Sequence, residues 1–217
     1  MKIGLLVDGQ AEYKCLPHLL LRLGLPHQVL APFYCDIQPF ASPAQMALAA
    51  SKRFSILLGK GVDSIVILID KESRQDCTGK LVRAIERETK ARLSALAPEI
   101  GLHVVLKVSK LENWLVADPL ALRDLPGLVE NPDRIGKQVS GDRADAVDAE
   151  ALLRACWRKK DFNKPECAVA ICKKLNPARA AKNSRSFRKL LKTLGHPDYV
   201  ETKRPPQGST QRTRKPK

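Results

Sequence analysis

The chain has 217 residues, enough for one ordinary domain with an appendage or for two small ones, and 44% of them are hydrophobic, enough for a real core. Its formal charge is +15, and the whole excess lies in the last third: residues 1–150 hold 19 Lys+Arg against 19 Asp+Glu, while residues 151–217 hold 19 against 4. That asymmetry predicts a polyanion-binding region attached to a neutral one rather than a merely solvated basic tail, and the lack of any apolar run near ~20 residues excludes a membrane-spanning helix.

Met1-Lys2 leads directly into the apolar run Ile3 to Val7, so no signal peptide is expected. This run, Ser64 to Ile69 and Leu102 to Val108 are rich in Val, Ile and Leu without alternation, which predicts strands buried on both faces of a parallel sheet. After Asp8-Gly9 a helix is expected from about Ala11 to Leu23, with Pro17 as a kink or a late start. Gln28 to Cys35 reads as a strand weakened by Pro32. Ser42 as N-cap and Pro43 at the first helical position open a helix that runs to about Leu58. Residues 78–96 form a long helix with Leu81, Ile85, Leu93 and Leu96 on its buried side, and a further helix covers about Leu111 to Arg123. The alternation of strands and helices predicts an α/β, doubly wound, mainly parallel sheet of about four strands over residues 1–125.

Residues 126–202 read as a helical basic C-terminal region. Pro126 to about Ala146, with Gly127, Pro132, Gly136 and Gly141, is expected to be a loop, followed by helices over 145–157, 164–174 and 184–194. Residues 203–217 carry Lys, Arg, Pro, Gln, Ser and Thr without an apolar anchor and are expected to be disordered. The six cysteines form no C-x-x-C pair and the four histidines lie in no ligand spacing. Buried free thiols in a reducing cytoplasm are therefore expected, not a zinc site. There is no G-x-x-x-x-G-K-[ST] or G-x-G-x-x-G loop for a nucleotide.

Each of the three best strands runs into an acid: Val7 into Asp8, Ile69 into Asp70 with Glu72 two residues on, and Val108 through Ser109-Lys110-Leu111 into Glu112. Ligands of parallel α/β sheets bind beyond the carboxyl ends of the strands. Carboxylates gathered there repel one another, and a divalent cation is the usual reason to assemble them. Asp8, Asp70, Glu72 and Glu112 are thus candidate site residues. Glu12, in the first turn of the first helix, has as good a claim to be a charge favoured by the helix dipole. Lys71 is expected in solvent, and Trp114 in the core or as a lid over the sheet end.

The order Val7-Asp8-Gly9-Gln10-Ala11-Glu12, then Leu68-Ile69-Asp70-Lys71-Glu72, resembles the TOPRIM domain of topoisomerases, primases and OLD-family nucleases. It is more closely similar to a TOPRIM-like family of bacterial proteins often linked with phage defence. Leu111-Glu112-Asn113-Trp114-Leu115-Val116-Ala117-Asp118, Cys172 to Ala181 and Ser184-Arg185-Ser186-Phe187-Arg188 extend the likeness to roughly residues 3–194. The resemblance implies a nuclease in which Asp8 is a general base or metal ligand, Asp70 and Glu72 hold Mg²⁺ or Mn²⁺, Glu112 completes the site, and a separate ATPase is a partner. The basic C-terminal region would then bind the backbone of DNA or RNA. Asp8 stands where that family has Glu, and Glu72 where it has Asp, one methylene shorter and longer. These departures suit a second expectation, a non-catalytic nucleic-acid-binding or partner-recruiting subunit with a degenerate site. A receiver-like phospho-acceptor is disfavoured, because receivers usually place two adjacent acids after the first strand and this chain has one.

Overall fold

The computed structural model describes residues 1–158 and 161–199. Its centre is a five-stranded, wholly parallel sheet: β1 (Lys2–Val7), β2 (Gln28–Val29), β3 (Phe33–Tyr34), β4 (Ser64–Asp70) and β5 (Gly101–Lys107). The order is β2-β1-β4-β5, and β3 pairs with the carboxyl half of β1 on the same edge as β2. Pro32, which has no N–H to give a ladder, separates these two short strands where one was expected.

The apolar runs are buried on both sides, as their lack of alternation requires. Ile3, Leu5 and Val7 of β1, Val66 and Leu68 of β4, and Val105 of β5 face one apolar layer. Leu6, Ile65, Ile67, Ile69, Val104 and Leu106 face the other. The second layer is closed by α2 (Pro43–Ser51), α3 (Phe54–Gly59) and α4 (Thr78–Ser94). Ser42 and Gln45 form a reciprocal capping box at the start of α2, with Pro43 in its first turn.

The first layer is closed by α1 (Gln10–Leu20), α5 (Leu111–Val116), α6 (Pro119–Arg123) and the C-terminal helices α7 (Pro132–Val139), α8 (Ala149–Cys156), α9 (Lys164–Cys172), α10 (Pro177–Asn183) and α11 (Arg185–Thr193). Residues from the neutral and basic parts of the sequence therefore share one core. Trp114 joins them: its ring NH donates to Ser186 Oγ (2.7 Å), and its ring meets that of Phe187 edge-on at 5.5 Å. Asp118 is fully buried and clasps Arg179 through two hydrogen bonds of 2.7 and 2.9 Å while accepting from the Asn176 backbone at 2.8 Å.

Four local expectations need correction. The segment expected as a loop contains α7, because Pro132 starts the helix at its first turn and Gly136 lies inside it. The helix expected over 111–123 is split into α5 and α6 by Asp118-Pro119, since a residue before proline is pushed out of the helical region. In the same way, the helix expected to follow Ser42 is divided into α2 and α3. Pro17 sits inside α1, which begins at Gln10 and stops at Leu20. The tail from Lys203, expected to be disordered, lies outside the described residues. No described helix is long and apolar enough to cross a membrane.

Candidate metal and phosphate site

The helix after β1 covers one face of the sheet and the helix after β4 covers the other. The carboxyl ends of these adjacent strands thus form a topological switch point, where doubly wound sheets leave a crevice. Asp8 follows the end of β1 and Asp70 ends β4. The Asp70 backbone N–H donates to Asp8 Oδ2 at 2.5 Å, tying the two ends together.

Period-2 alternation sends Asp70 to the same face as Val66 and Leu68, and Lys107 to the same face as Val105. Asp70 and Lys107 are also direct partners in the β4–β5 register. On that face Gly9 caps α1, which begins at Gln10, and this places Glu12 over the strand ends. A Cβ on Gly9 would collide with the Glu12 carboxylate, although the extended backbone there (φ −127°) suits any residue. Gly9 is needed for space, not for conformational freedom.

The result is three carboxylates from three segments around one ammonium. Lys107 Nζ donates to Asp8 Oδ1 at 2.8 Å and to Glu12 Oε1, and lies 3.0 Å from Asp70 Oδ1. The side chain of Lys107 is 0% exposed, those of Asp8 and Glu12 4%, and that of Asp70 13%, so Asp70 is the route to solvent. One oxygen each of Asp8, Glu12 and Asp70 lie within 4.8 Å of one another, a set that could hold a metal ion. Hard oxygen donors of this kind suit Mg²⁺ or Mn²⁺.

Charge supports the fit. Three carboxylates against one ammonium leave a buried negative excess, and Asp70 Oδ1 makes no hydrogen bond among the described residues. Burial pushes the Asp70 carboxyl up to about 8, against the pull of Lys107 and with the repulsion of Asp8 and Glu12. Burial also opposes ionisation of Glu12, but the charge and hydrogen bond of Lys107 outweigh it and hold this carboxyl below its ordinary value. Burial disfavours the Lys107 ammonium, yet Asp70, Asp8 and Glu12 together keep its pKa well above the ordinary value. The site thus contains a buried cation, a Glu12 carboxylate held ionised by it, and one carboxyl, Asp70, whose ionisation burial opposes.

Glu72 does not join this cluster. The strand ends at Asp70, Glu72 takes a left-handed backbone (φ 53°), and its carboxylate lies 3.5 Å from Lys110 Nζ instead. Glu12 occupies the third place expected of Glu72. Glu112 is fully buried at the start of α5, 3.0 Å from Lys164 Nζ. Neither of its oxygens makes an aligned hydrogen bond among the described residues. Lys164 opens α9, packed on α1, and its charge also lowers the Glu12 pKa. Glu150 lies 3.2 Å from Lys110 and 3.9 Å from Lys164. A rim of Lys110 and Lys164, held by Glu72, Glu112 and Glu150, therefore borders the acid cluster. Farther out, Lys173, Lys174, Lys182, Arg185 and Lys189 are exposed, with no carboxylate within ion-pair distance among the described residues.

Sequence reasoning missed Lys107 and Lys164. The signal for Lys107 was present: a lysine in the otherwise apolar run Val104-Val105-Leu106-Lys107-Val108, at the parity of the buried Val105. A charge at such a position needs buried partners. Lys164 gave no such signal, being one of many lysines in a basic region.

Residues 7–195 match the family described as a domain of unknown function (DUF4276). No curated protein and no solved structure matches the chain.

Proposed function

The chain belongs to the DUF4276 family, whose match takes in Asp8, Glu12, Asp70 and Lys107, and we propose that it is a divalent-cation-dependent nuclease acting on the phosphodiesters of DNA or RNA. The observation that carries this reading is the convergence of Asp8, Glu12 and Asp70 from separate segments on the crevice between β1 and β4.

In this reading Asp8, Glu12 and Asp70 hold Mg²⁺ or Mn²⁺. The ion would neutralise charge on the non-bridging phosphate oxygens and activate an oxygen nucleophile. Lys107 fixes the directions of all three carboxylates through its buried ammonium. Asp70, the most open of the three, gives up its proton as positive charge enters. Lys164 and Lys110, each about one-third exposed, face the phosphate group from the rim. Glu112 holds Lys164 in that position. The exposed lysines and arginines of α9 to α11 add salt-dependent affinity for the backbone without reading sequence. The likeness to TOPRIM nucleases, with a phage-defence setting and a partner ATPase, belongs to the same proposal.

The test is cleavage of single- and double-stranded DNA and RNA by the purified protein in Mg²⁺ and in EDTA. We expect cleavage in Mg²⁺ alone, and its loss in Asp70→Ala with the circular dichroism spectrum and melting intact. An Asp70→Ala protein that cleaves as well as the wild type refutes the assignment. One observation favours a second reading, a non-catalytic nucleic-acid-binding or partner-recruiting subunit: the Lys107 ammonium already bridges the three acids. Salt-dependent binding to nucleic acid with no Mg²⁺-dependent cleavage selects that reading.

A further inference from the structure

Beside the acid cluster, on the β3 edge of the sheet, lies a cleft of about 430 Å³ whose walls include Gln10, Tyr13, Phe33, Tyr34 and Arg53. Its position is fixed by the strands. Tyr34 is the register partner of Val7, the residue before Asp8, and the next backbone N–H, that of Cys35, donates to Val7 O at 2.8 Å. Gln10 and Tyr13 stand on the first turn of α1, on either side of Glu12 in sequence. One wall of the cleft is therefore the outer surface of the helix whose inner surface carries a site carboxylate.

The composition of the cleft is unusual for this chain. Only 5% of its residues are aromatic, yet three aromatic residues line this one cleft. Tyr13 is 47% exposed and is not used by either core, and Phe33 and Tyr34 are half-buried. The Arg53 Nε donates to Tyr34 O at 3.1 Å, which anchors its planar guanidinium at the cleft. Lys60 Nζ lies 5.9 Å from the centre of the Phe33 ring and brings a second cation to the same edge. Aromatic faces interleaved with Arg and Lys are what unpaired bases stack on, and a Gln amide offers both a donor and an acceptor to a base edge.

We propose that this cleft takes an unpaired nucleobase, next to the phosphate held at the acid cluster, so that the strand engaged by the protein is single-stranded. The inference rests on the nucleic-acid reading of the site and specifies its substrate. A base inside a duplex is stacked on its neighbours and does not present its face to Tyr13, whereas a single strand, an extruded nucleotide or an end does.

The test is binding without catalysis. Fluorescein-labelled eight-nucleotide oligo-dT and oligo-rU, a labelled DNA duplex, and unlabelled thymidine monophosphate as competitor are titrated in EDTA and read by fluorescence anisotropy. The wild type is expected to bind single strands more tightly than duplex. Tyr13→Ala, a change at an exposed position, is expected to weaken single-strand binding at least about fivefold, with Tyr13→Trp close to wild type and duplex binding unchanged. Equal loss for dT and rU shows that the contact does not involve the sugar; competition by the mononucleotide at the oligonucleotide's own concentration assigns the cleft to free nucleotides and overturns the strand assignment. Unchanged single-strand binding in Tyr13→Ala, or an equal loss for duplex, overturns the proposal. The nuclease reading fails on a different result, the absence of Mg²⁺-dependent cleavage, and either can fail while the other stands.

Discussion

Replacing Lys107 by Met removes the one charge that holds three buried carboxylates together while keeping most of the side-chain volume. Its ammonium has no solvent exposure and is within 3.0 Å of oxygens from Asp8, Glu12 and Asp70. Removing one partner of a buried ion pair costs about 3–5 kcal/mol, because the remaining charge is left without compensation. In a chain of this size each kcal/mol lowers the melting temperature by about 2–4 °C, so Lys107→Met should melt about 6–20 °C below the wild type at pH 8. The deficit should shrink at pH 5, where protonation relieves the repulsion. Added Mg²⁺ should raise the melting temperature of Lys107→Met by more than that of the wild type, since the ion then meets three carboxylates with no competing ammonium. Circular dichroism melts at both pH values, with and without Mg²⁺, measure all of this. A Lys107→Met protein that melts with the wild type at pH 8 would show that the ammonium does not hold the acids, and the electrostatic account of the site would fall.

Asp70 has its carboxyl pKa raised from 3.8 to about 8, so the folded state keeps a proton that the unfolded state gives up. The contribution of this group to stability must then fall as pH rises from about 4 to 8; Asp70→Asn should lack that slope, and identical pH–stability curves for the two proteins would refute the assignment. Because an ion must displace the same proton, Mg²⁺ affinity should rise with pH up to about 8 and binding should release protons, which calorimetry in buffers of different ionisation enthalpy reads directly. Gly9→Ala should destabilise by about 1–3 kcal/mol through collision with the Glu12 carboxylate, and the double change with Glu12→Asp should recover part of the loss; no recovery would place the clash elsewhere. Asp118→Ala should cost about 3 kcal/mol by freeing Arg179 and the Asn176 N–H, and a loss below about 1 kcal/mol in urea unfolding would deny that clasp its role.

The sheet was legible because burial on both faces writes itself as unbroken Val, Ile and Leu, and Ser64 to Asp70 could hardly be anything else. The meeting of Asp8 and Asp70 followed from their place at the carboxyl ends of parallel strands and is what the structure shows. What hid the rest was local geometry. Asp70 and Glu72 share a parity only while the strand continues, and the left-handed turn at Glu72 breaks it. Glu12 reads equally as a site residue or a first-turn charge in the sequence, and only the packing of α1 onto the strand ends shows it to be buried. Proline and glycine misled in α7 because Pro132 starts a helix as readily as it breaks one. The helix α10 has the same entry, Asn176 followed by Pro177, in a stretch too short to show an apolar period. Trp114, expected in the core or as a lid, is in the core, with its NH given to Ser186.

The helices rich in lysine and arginine are also half of the sheet's insulation, since Ile171, Phe187, Leu190 and Leu191 lie in the same apolar layer as Leu5 of β1 and Val66 of β4. Deleting them would remove much of the cover from that side of the sheet and would leave Glu112 without Lys164. The proposed binding and the proposed cleavage are therefore to be separated by exchanging single side chains, not by trimming the polypeptide.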